Sequence, residues 1–208
     1  MLSPTSQVKI CAPAYTVQMV LASDNSVPRL SSHFVDTAPS GSVVVVDAPP
    51  RSVCSTPSSM SELSHSFLSR RNKECSLTAG AQARGAVGAI ISGCCRDLAK
   101  HRAADFPVFA RGHSTVGQSP FVRPSGVNVT LTIHPKDADN SSDAFASVTV
   151  TPGDWIIADE DGVVCVPVDM VDKVAELAKK GQEIDAKCVA DIKAGKGIQA
   201  SFKEHRGK

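Results

Sequence analysis

Residues 85–97 read GAVGAIISGCCRD, and the order of residue types in this stretch indicates the fold class. The apolar run from Val87 to Ile91 is typical of a strand that is covered on both faces. Gly93 marks the turn after this strand, and a helix is expected over 97–104. A strand buried on both faces and followed by a helix predicts an α/β architecture.

The neighbouring segments extend this alternation of strands and helices. Ser42 to Asp47 contains four consecutive valines and predicts another buried strand. The small residues from Thr78 to Arg84 predict a helix that Gly85 ends. The other expected elements are two short strands over 8–21 separated by Pro13, strands over 106–110 and 127–133, three strands over 148–166, and a final helix from Asp169 to Gly195.

The composition of the chain predicts one globular domain over residues 1–208 and excludes several classes of partner. The 208 residues include 22 basic and 21 acidic side chains, a balance that argues against nucleic acid and anionic membranes. No apolar run approaches the roughly 18 residues of a membrane span. The first residues lack the pattern of a signal peptide, so we expect a cytoplasmic protein.

Two features of the composition are unusual for a compact domain. The segment 51–73 is dense in serine, and we expect a disordered or atypical loop there. Either translated intron sequence or a lineage-specific insertion would explain it. The seven cysteines are odd in number and lack the spacing of a zinc site, so we expect reduced thiols.

The candidate chemistry lies in the Arg96-Asp97 pair that follows the buried strand. In α/β sheets, ligands gather outside the carboxyl ends of strands. Arg96 has the fork geometry that binds a carboxylate or enolate, and Asp97 offers oxygen ligands to a hard cation. The alternative is a helix-capping aspartate beside a solvated arginine. His101 and His113 are expected to be surface residues rather than ligands.

Several motifs in order resemble one known family. They are KICAPAYTV (9–17), HFVDTAPSGSVVVVD (33–47), ARGAVGAIISGCCRD (83–97), FPVFARG (106–112) and TPGDWIIADEDGVVCVP (151–167). These motifs resemble the RraA-like family, which contains 4-hydroxy-4-methyl-2-oxoglutarate aldolase (the HMG/CHA aldolases) and the regulator of ribonuclease activity A. The similarity covers most of the chain from Val8 onward. The family's leading helical segment is missing, so we interpret the domain as shortened at its N-terminus.

This resemblance implies a fold, an assembly and a reaction. The implied fold is α/β, a swivelling β/β/α domain with a C-terminal helix, which assembles as a homotrimer or homohexamer. The aldolase members are class II lyases that use a divalent cation, Mg2+ or Mn2+. They cleave 4-hydroxy-4-methyl-2-oxoglutarate to pyruvate and decarboxylate oxaloacetate. Both reactions pass through pyruvate enolate, so the implied substrate is a small α-keto acid.

The resemblance also implies roles for particular residues. Arg96 matches the family's substrate-binding and catalytic arginine, and Asp97 matches its catalytic metal ligand. A backbone loop that binds the substrate carboxylate should fall at Glu74, Cys75, Ser76 and Leu77.

Three departures from the family pattern favour a weakened activity. Ser92 stands where many members have an acidic residue, and Lys100 stands where an acidic residue usually follows the metal ligand. Cys75 replaces the glycine or acidic residue expected at the start of the substrate loop. A catalytically silent binding or regulatory protein is therefore the alternative to a lyase.

Overall fold

The computed structural model describes residues 9–49, 76–115, 117–118, 121–135 and 146–207. The predicted serine-rich loop over 51–73 lies outside the described residues, as do the predicted substrate-loop residues Glu74 and Cys75. Among the residues that the structure does describe, none of the helices has the length and hydropathy needed to cross a bilayer.

The elements alternate as expected for an α/β protein. The strands are β1 (Ile10–Leu21), β2 (Val43–Asp47), β3 (Gly88–Cys95), β4 (Val108–His113), β5 (Val122–Val127), β6 (Leu131–Ile133), β7 (Val148–Val150), β8 (Trp155–Asp159) and β9 (Gly162–Val166). The α-helices are α1 (Ser76–Ala83), α2 (Leu98–Ala103), α3 (Val171–Lys193) and α4 (Ile198–Arg206). Short 3-10 helices occupy Phe34–Thr37 and Val168–Met170.

The main sheet has the strand order β4-β3-β2-β1-β8-β9, and β5 also pairs with β1. The pairs β1–β2, β2–β3 and β3–β4 are parallel, whereas β5 and β8 run antiparallel to β1. Strands β6 and β7 form a separate antiparallel pair. The carboxyl ends of β2, β3 and β4 therefore meet at one edge of the sheet, where a ligand site is expected.

The alternating side chains of the central strands fill two apolar layers, one on each face of the sheet. On one face, Tyr15 and Val44 pack with Phe34 of the 3-10 helix and Ala81 of α1. The other face is covered by residues from the small β6–β7 sheet, such as Leu131. This double coverage explains the run of valines in β2. The end of α1 also agrees with the sequence, since Gly85 follows it with a φ of +80°.

The sequence predicted that Pro13 divides the first strand in two, and this prediction is wrong. Strand β1 is continuous because Pro13 lies where its pairing partners change. Residues 10–13 pair with β8, and pairing with β2 starts at Ala14. Because Pro13 sits at this junction, its missing N–H does not end the strand.

The predicted single strand over 127–133 is also wrong. The chain turns at Asn128, which has a φ of +52° and donates its backbone N–H to the carbonyl of Thr16 at 2.9 Å. Residues up to Val127 belong to β5 in the main sheet, and Leu131 starts β6 in the small sheet. Asparagine tolerates this left-handed conformation, so the chain can turn at Asn128 without a glycine. The alternating apolar pattern continues through the turn and therefore does not reveal the change of sheet.

Residues 166–208 form a second compact unit, and residues 1–165 form the first. The second unit contains α3 and α4. The sequence predicted that the long helix begins at Asp169. Asp169 lies instead in the 3-10 turn that precedes α3. Helix α3 continues through Gly181 as predicted. Helix α4 was not predicted from the sequence, and it packs against α3 through the fully buried Ser201.

One cysteine contradicts the expectation of reduced thiols. Cys94 is disulfide-bonded. Cys11, Cys95, Cys165 and Cys188 are free. Pairing depends on which thiols meet in space, and an odd number of cysteines does not reveal that.

Candidate active site

The candidate site lies at the carboxyl edge of the parallel strands, in the turn between β3 and α2. Strand β3 ends at Cys95, whose carbonyl accepts a hydrogen bond from the backbone N–H of Ser114 at 2.8 Å. Arg96 and Asp97 follow, and α2 begins at Leu98. The structure therefore places the two residues at a topological position typical of ligand sites.

Asp97 has a strained backbone and a carboxylate that does not cap the helix. Its φ and ψ of 62° and 34° are left-handed, and its side chain makes no capping hydrogen bond to α2. A capping aspartate normally has an extended backbone and accepts a bond from the helix N–H groups. The left-handed conformation costs roughly 1 kcal/mol or more for a residue with a side chain. This geometry disagrees with the alternative in which Asp97 is a helix cap.

Arg96 lies beside Asp97 in a loose, solvated ion pair. The Nε atom of Arg96 is 3.5 Å from Oδ2 of Asp97, and their side chains are 50% and 32% exposed. A surface pair of this kind contributes less than about 1 kcal/mol. A Cβ added at Gly117 would lie 3.2 Å from Nη1 of Arg96, so a backbone without a side chain leaves room for the guanidinium.

His101, which the sequence predicted to be a surface residue rather than a ligand, is partly exposed and contacts both the Arg96 turn and helix α1. Its Nδ1 is 2.8 Å from Oγ1 of Thr78, and its Nε2 is 2.8 Å from the carbonyl oxygen of Arg96. Thr78 is the third residue of α1 and is buried. The two partners lie far apart in sequence from each other, so no local pattern reveals this bridge.

A second polar group at the same edge was also missed by sequence reasoning. Asp47 at the end of β2 pairs in register with Ser92 of β3 and accepts a hydrogen bond from its side chain. Burial raises the pKa of Asp47, and this effect outweighs the opposing effects of Ser92, Arg111 and His134. The visible signal in the sequence was a carboxylate at the end of a buried strand.

The predicted substrate loop is only partly within the described residues. Ser76 and Leu77 are the first two residues of α1 rather than parts of a loop that precedes it. The first N–H groups of a helix have no partners inside the helix, so this position can still offer backbone donors to an anion. The carboxyl edge of β3 and the first turn of α1 are joined through His101.

Comparison with known proteins assigns the family. Residues 1–165 match the RraA-like family, described as Aldolase/RraA. The chain belongs to the RraA-like family. A protein of Halalkalibacterium halodurans named "Putative 4-hydroxy-4-methyl-2-oxoglutarate aldolase" is 30% identical over 105 residues, which is 50% of this chain and 44% of that protein. A protein of the same name from Halorhodospira halophila is 41% identical over 81 residues, covering 38% of this chain and 41% of the relative.

The fold of this RraA-like chain agrees with a solved structure. The crystal structure of a protein from Pseudomonas syringae pv. tomato superposes with a TM-score of 0.71 and 23% identity, covering 97% of this chain and 78% of the other. The predicted mixed α/β RraA-like fold with a C-terminal helix is thus confirmed. The matched segments span less than half the length of the two aldolase-named relatives.

The donor set of this RraA-like site fits magnesium better than zinc. Within the described ranges, the only group of three side chains spaced to hold a metal is Asp191, Glu204 and His205, in the second unit. Asp97 offers a single carboxylate. Mg2+ is commonly bound by one or two carboxylates, with water and substrate oxygens completing its shell. Asp97 therefore fits a hard cation that a chelating substrate helps to hold.

The departures from the RraA-like pattern have different structural settings. Ser92 hydrogen-bonds to Asp47, so a carboxylate is present on the neighbouring strand even though position 92 lacks one. Lys100 lies in the first turn of α2, where its backbone N–H donates to the carbonyl of Asp97 at 2.8 Å. The positive charge of Lys100, which is expected to oppose a cation at Asp97, therefore lies on the short helix that follows Asp97.

Proposed function

We propose that this protein is a divalent-metal-dependent lyase of small α-keto acids. The proposed reactions are cleavage of 4-hydroxy-4-methyl-2-oxoglutarate to pyruvate and decarboxylation of oxaloacetate. The observation that carries the proposal is the uncapped, left-handed Asp97 beside Arg96 at the carboxyl edge of the sheet. Membership of a family that includes such aldolases supports it.

Each residue has a distinct task in the proposed site. Asp97 would hold Mg2+ or Mn2+, which supplies Lewis-acid polarisation of the substrate's keto group. The guanidinium of Arg96 stabilises negative charge as it develops on the substrate oxygen. Backbone N–H groups at the start of α1, around Ser76 and Leu77, bind the substrate carboxylate. Glu74 and Cys75 remain proposed parts of this carboxylate-binding segment.

We also propose that the chain assembles as a homotrimer or homohexamer. The proposal rests on the family, whose aldolase members place the active site at a subunit boundary. A symmetric assembly would then complete a site that one chain leaves open. Light scattering at micromolar concentration tests this directly. A mass of three or six chains supports it, and a monomer contradicts it.

The test of the lyase is pyruvate release from oxaloacetate and from 4-hydroxy-4-methyl-2-oxoglutarate, with Mg2+, with Mn2+ and with chelator. Asp97→Asn should remove the metal-dependent turnover. Asp172→Asn is the matched control, because Asp172 is an exposed acidic residue in the first turn of α3 in the other unit. A folded wild-type protein without metal-dependent turnover would contradict the lyase and favour a silent binding protein.

A further inference from the structure

A single imidazole links the two parts of the proposed site. His101, on α2, is only partly exposed, and each of its ring nitrogens has a partner at 2.8 Å. One partner is the carbonyl of Arg96, the residue next to Asp97. The other is the hydroxyl of Thr78 in α1, immediately after the helix start that is proposed to bind the substrate carboxylate.

The chemistry of the two partners fixes the tautomer of the ring. A carbonyl oxygen can only accept, so Nε2 of His101 carries the hydrogen and donates to Arg96. In the neutral ring, Nδ1 then has a free lone pair and accepts from Oγ1–H of Thr78. Both ring nitrogens therefore form hydrogen bonds in one orientation of the ring. Through these two bonds the imidazole holds the Arg96 backbone and the Thr78 side chain at a fixed distance.

The Arg96 carbonyl needs such a partner because it lies just beyond the sheet. The last ladder-type bond on this side is donated by Ser114 to the carbonyl of Cys95. The backbone N–H groups of Lys100 and His101 both donate to the carbonyl of Asp97, at 2.8 and 3.2 Å. The intervening Arg96 peptide is therefore oriented by the side chain of His101, and this peptide carries the strained Asp97.

We propose that His101 is a positioning residue, which sets the orientation of the Arg96-Asp97 turn relative to the first turn of α1. The inference rests on the proposed function, because it assumes that these two elements bind one substrate. His101 does not touch the reacting atoms in this scheme. It acts through the Arg96 carbonyl and the Thr78 hydroxyl.

A second contact between the same helices provides a matched control. Nε2 of Gln82 in α1 donates to the carbonyl of Ala104 at the end of α2, at 2.7 Å. This bond also holds α1 against α2, but it lies at the end of α2 away from Arg96. If His101 only holds the helices together, Gln82→Leu should have the same consequences as His101→Leu.

The experiment compares His101→Leu, His101→Gln, Thr78→Val and Gln82→Leu in the 208-residue chain with saturating Mg2+. A misplacement of about 1 Å costs on the order of 100-fold in rate, so His101→Leu should lower kcat/KM for oxaloacetate by roughly 10- to 100-fold. Most of the change should be in kcat, because a substrate held between two misplaced elements is displaced from the reacting geometry. His101→Gln retains a donor and an acceptor and should restore much of the loss. Thr78→Val should resemble His101→Leu, and the double variant should lose little more.

Hydrogen–deuterium exchange supplies a readout that does not require activity. His101→Leu should increase exchange both at 96–101 and at 76–80, whereas Gln82→Leu should leave 96–101 unchanged. An inactive wild type with this exchange pattern would contradict the proposed lyase while retaining the positioning role of His101. The inference is overturned if His101→Leu and Gln82→Leu have equal effects on kcat/KM or on exchange at 96–101. It is also overturned if His101→Gln restores neither kcat/KM nor the exchange protection at 96–101.

Discussion

Among the residues that the structure describes, two groups of charged side chains contain residues suited to binding a metal, and their surroundings differ. The site turn, Arg96 and Asp97, has one ion pair at 3.5 Å and a carboxylate without a capping bond. The second group, the hairpin cluster, lies on α3, α4 and their connection. Each of its members forms an ion pair within the cluster, whose residues are Asp191, Lys196, Glu204 and His205. Lys196 lies 2.7 Å from Asp191 and 2.5 Å from Glu204, and His205 lies 2.9 Å from Asp191.

By ligand type alone, the hairpin cluster looks more suitable for a metal than the site turn. Its three ligand atoms lie within 4.8 Å of one another, whereas Asp97 is a single carboxylate. Lys196, however, already neutralises two of those ligands. Hydrogen bonds donated by Lys196 and His205 lower the pKa of Asp191, and the bonds that Lys196 donates to Asp191 and Glu204 raise the pKa of Lys196. We therefore expect a cation at the site turn rather than at the hairpin cluster, because Asp97 has a strained backbone and a carboxylate without a capping bond.

The largest expected effect is at Asp97. Asp97→Gly should lower metal-dependent pyruvate release by roughly 1,000-fold, because Lewis-acid assistance contributes several kcal/mol. The same change should leave thermal stability unchanged or raise it slightly, since glycine adopts a positive φ without strain. Steady-state kinetics and thermal melting measure the two effects. Retained activity would show that the site turn is merely a strained surface feature.

The next effect is at Arg96. Arg96→Lys keeps the charge but loses the planar fork, and removal of one well-placed donor typically costs about 100-fold in kcat. We expect a loss of that order at saturating metal, with unchanged metal affinity measured by Mn2+ titration. Equal activity of the lysine variant would indicate that only the charge matters at this position.

Much of the frame of the site could be predicted from the sequence, because it depends on local patterns. The valine run of β2, the presence of a strand in GAVGAIISGCCRD and the glycine that ends α1 all reflect burial and backbone preference within a few residues. The turn predicted at Gly93 is wrong, because β3 continues through it to Cys95. The family membership and the place of Arg96 and Asp97 after a buried strand followed from the same stretch.

The contacts that complete the site could not be predicted, because they join residues far apart in the chain. Thr78 meets His101 across 23 positions, and Asp47 meets Ser92 only through strand register. The left-handed backbone of Asp97 also has no local sequence signal, since Arg-Asp before an apolar residue is compatible with an ordinary helix cap. The break at Asn128 was missed because the apolar alternation continues through it.

A smaller effect is expected when the positive side chain of the hairpin cluster, Lys196, is removed. Lys196→Ala should free Asp191, Glu204 and His205 for Zn2+, which prefers nitrogen and oxygen ligands in compact geometry. The variant should melt at a lower temperature than wild type without metal and should be stabilised by Zn2+, whereas wild type should not respond. Lys180→Ala is the control, because Lys180 pairs with Glu176 on the exposed surface of the same helix. A variant that ignores Zn2+ would show that the cluster is structural even without its lysine.

The smallest effect is a difference in pH dependence between two carboxylates. Burial raises the pKa of Asp47 above its ordinary 3.8, so its contribution to stability is present at low pH and is lost as the pH rises through the raised pKa. Hydrogen bonds from Lys196 and His205 lower the pKa of Asp191, so its contribution is present above pH 3.8 and is lost as the pH falls through the lowered pKa. The two groups therefore act with opposite sign.

Matched asparagine variants separate the two contributions across pH 2–7. Asp47→Asn should gain stability relative to wild type as the pH rises, because it no longer leaves a charge partly desolvated. Asp191→Asn should be less stable than wild type at neutral pH, and the difference should vanish in acid. Fluorescence of Trp155, the single tryptophan, reports on the sheet that contains Asp47, and far-UV circular dichroism reports on the helices. Parallel pH profiles for the two variants would contradict the distinction between a desolvated carboxylate near the site turn and a fully paired one in the hairpin cluster.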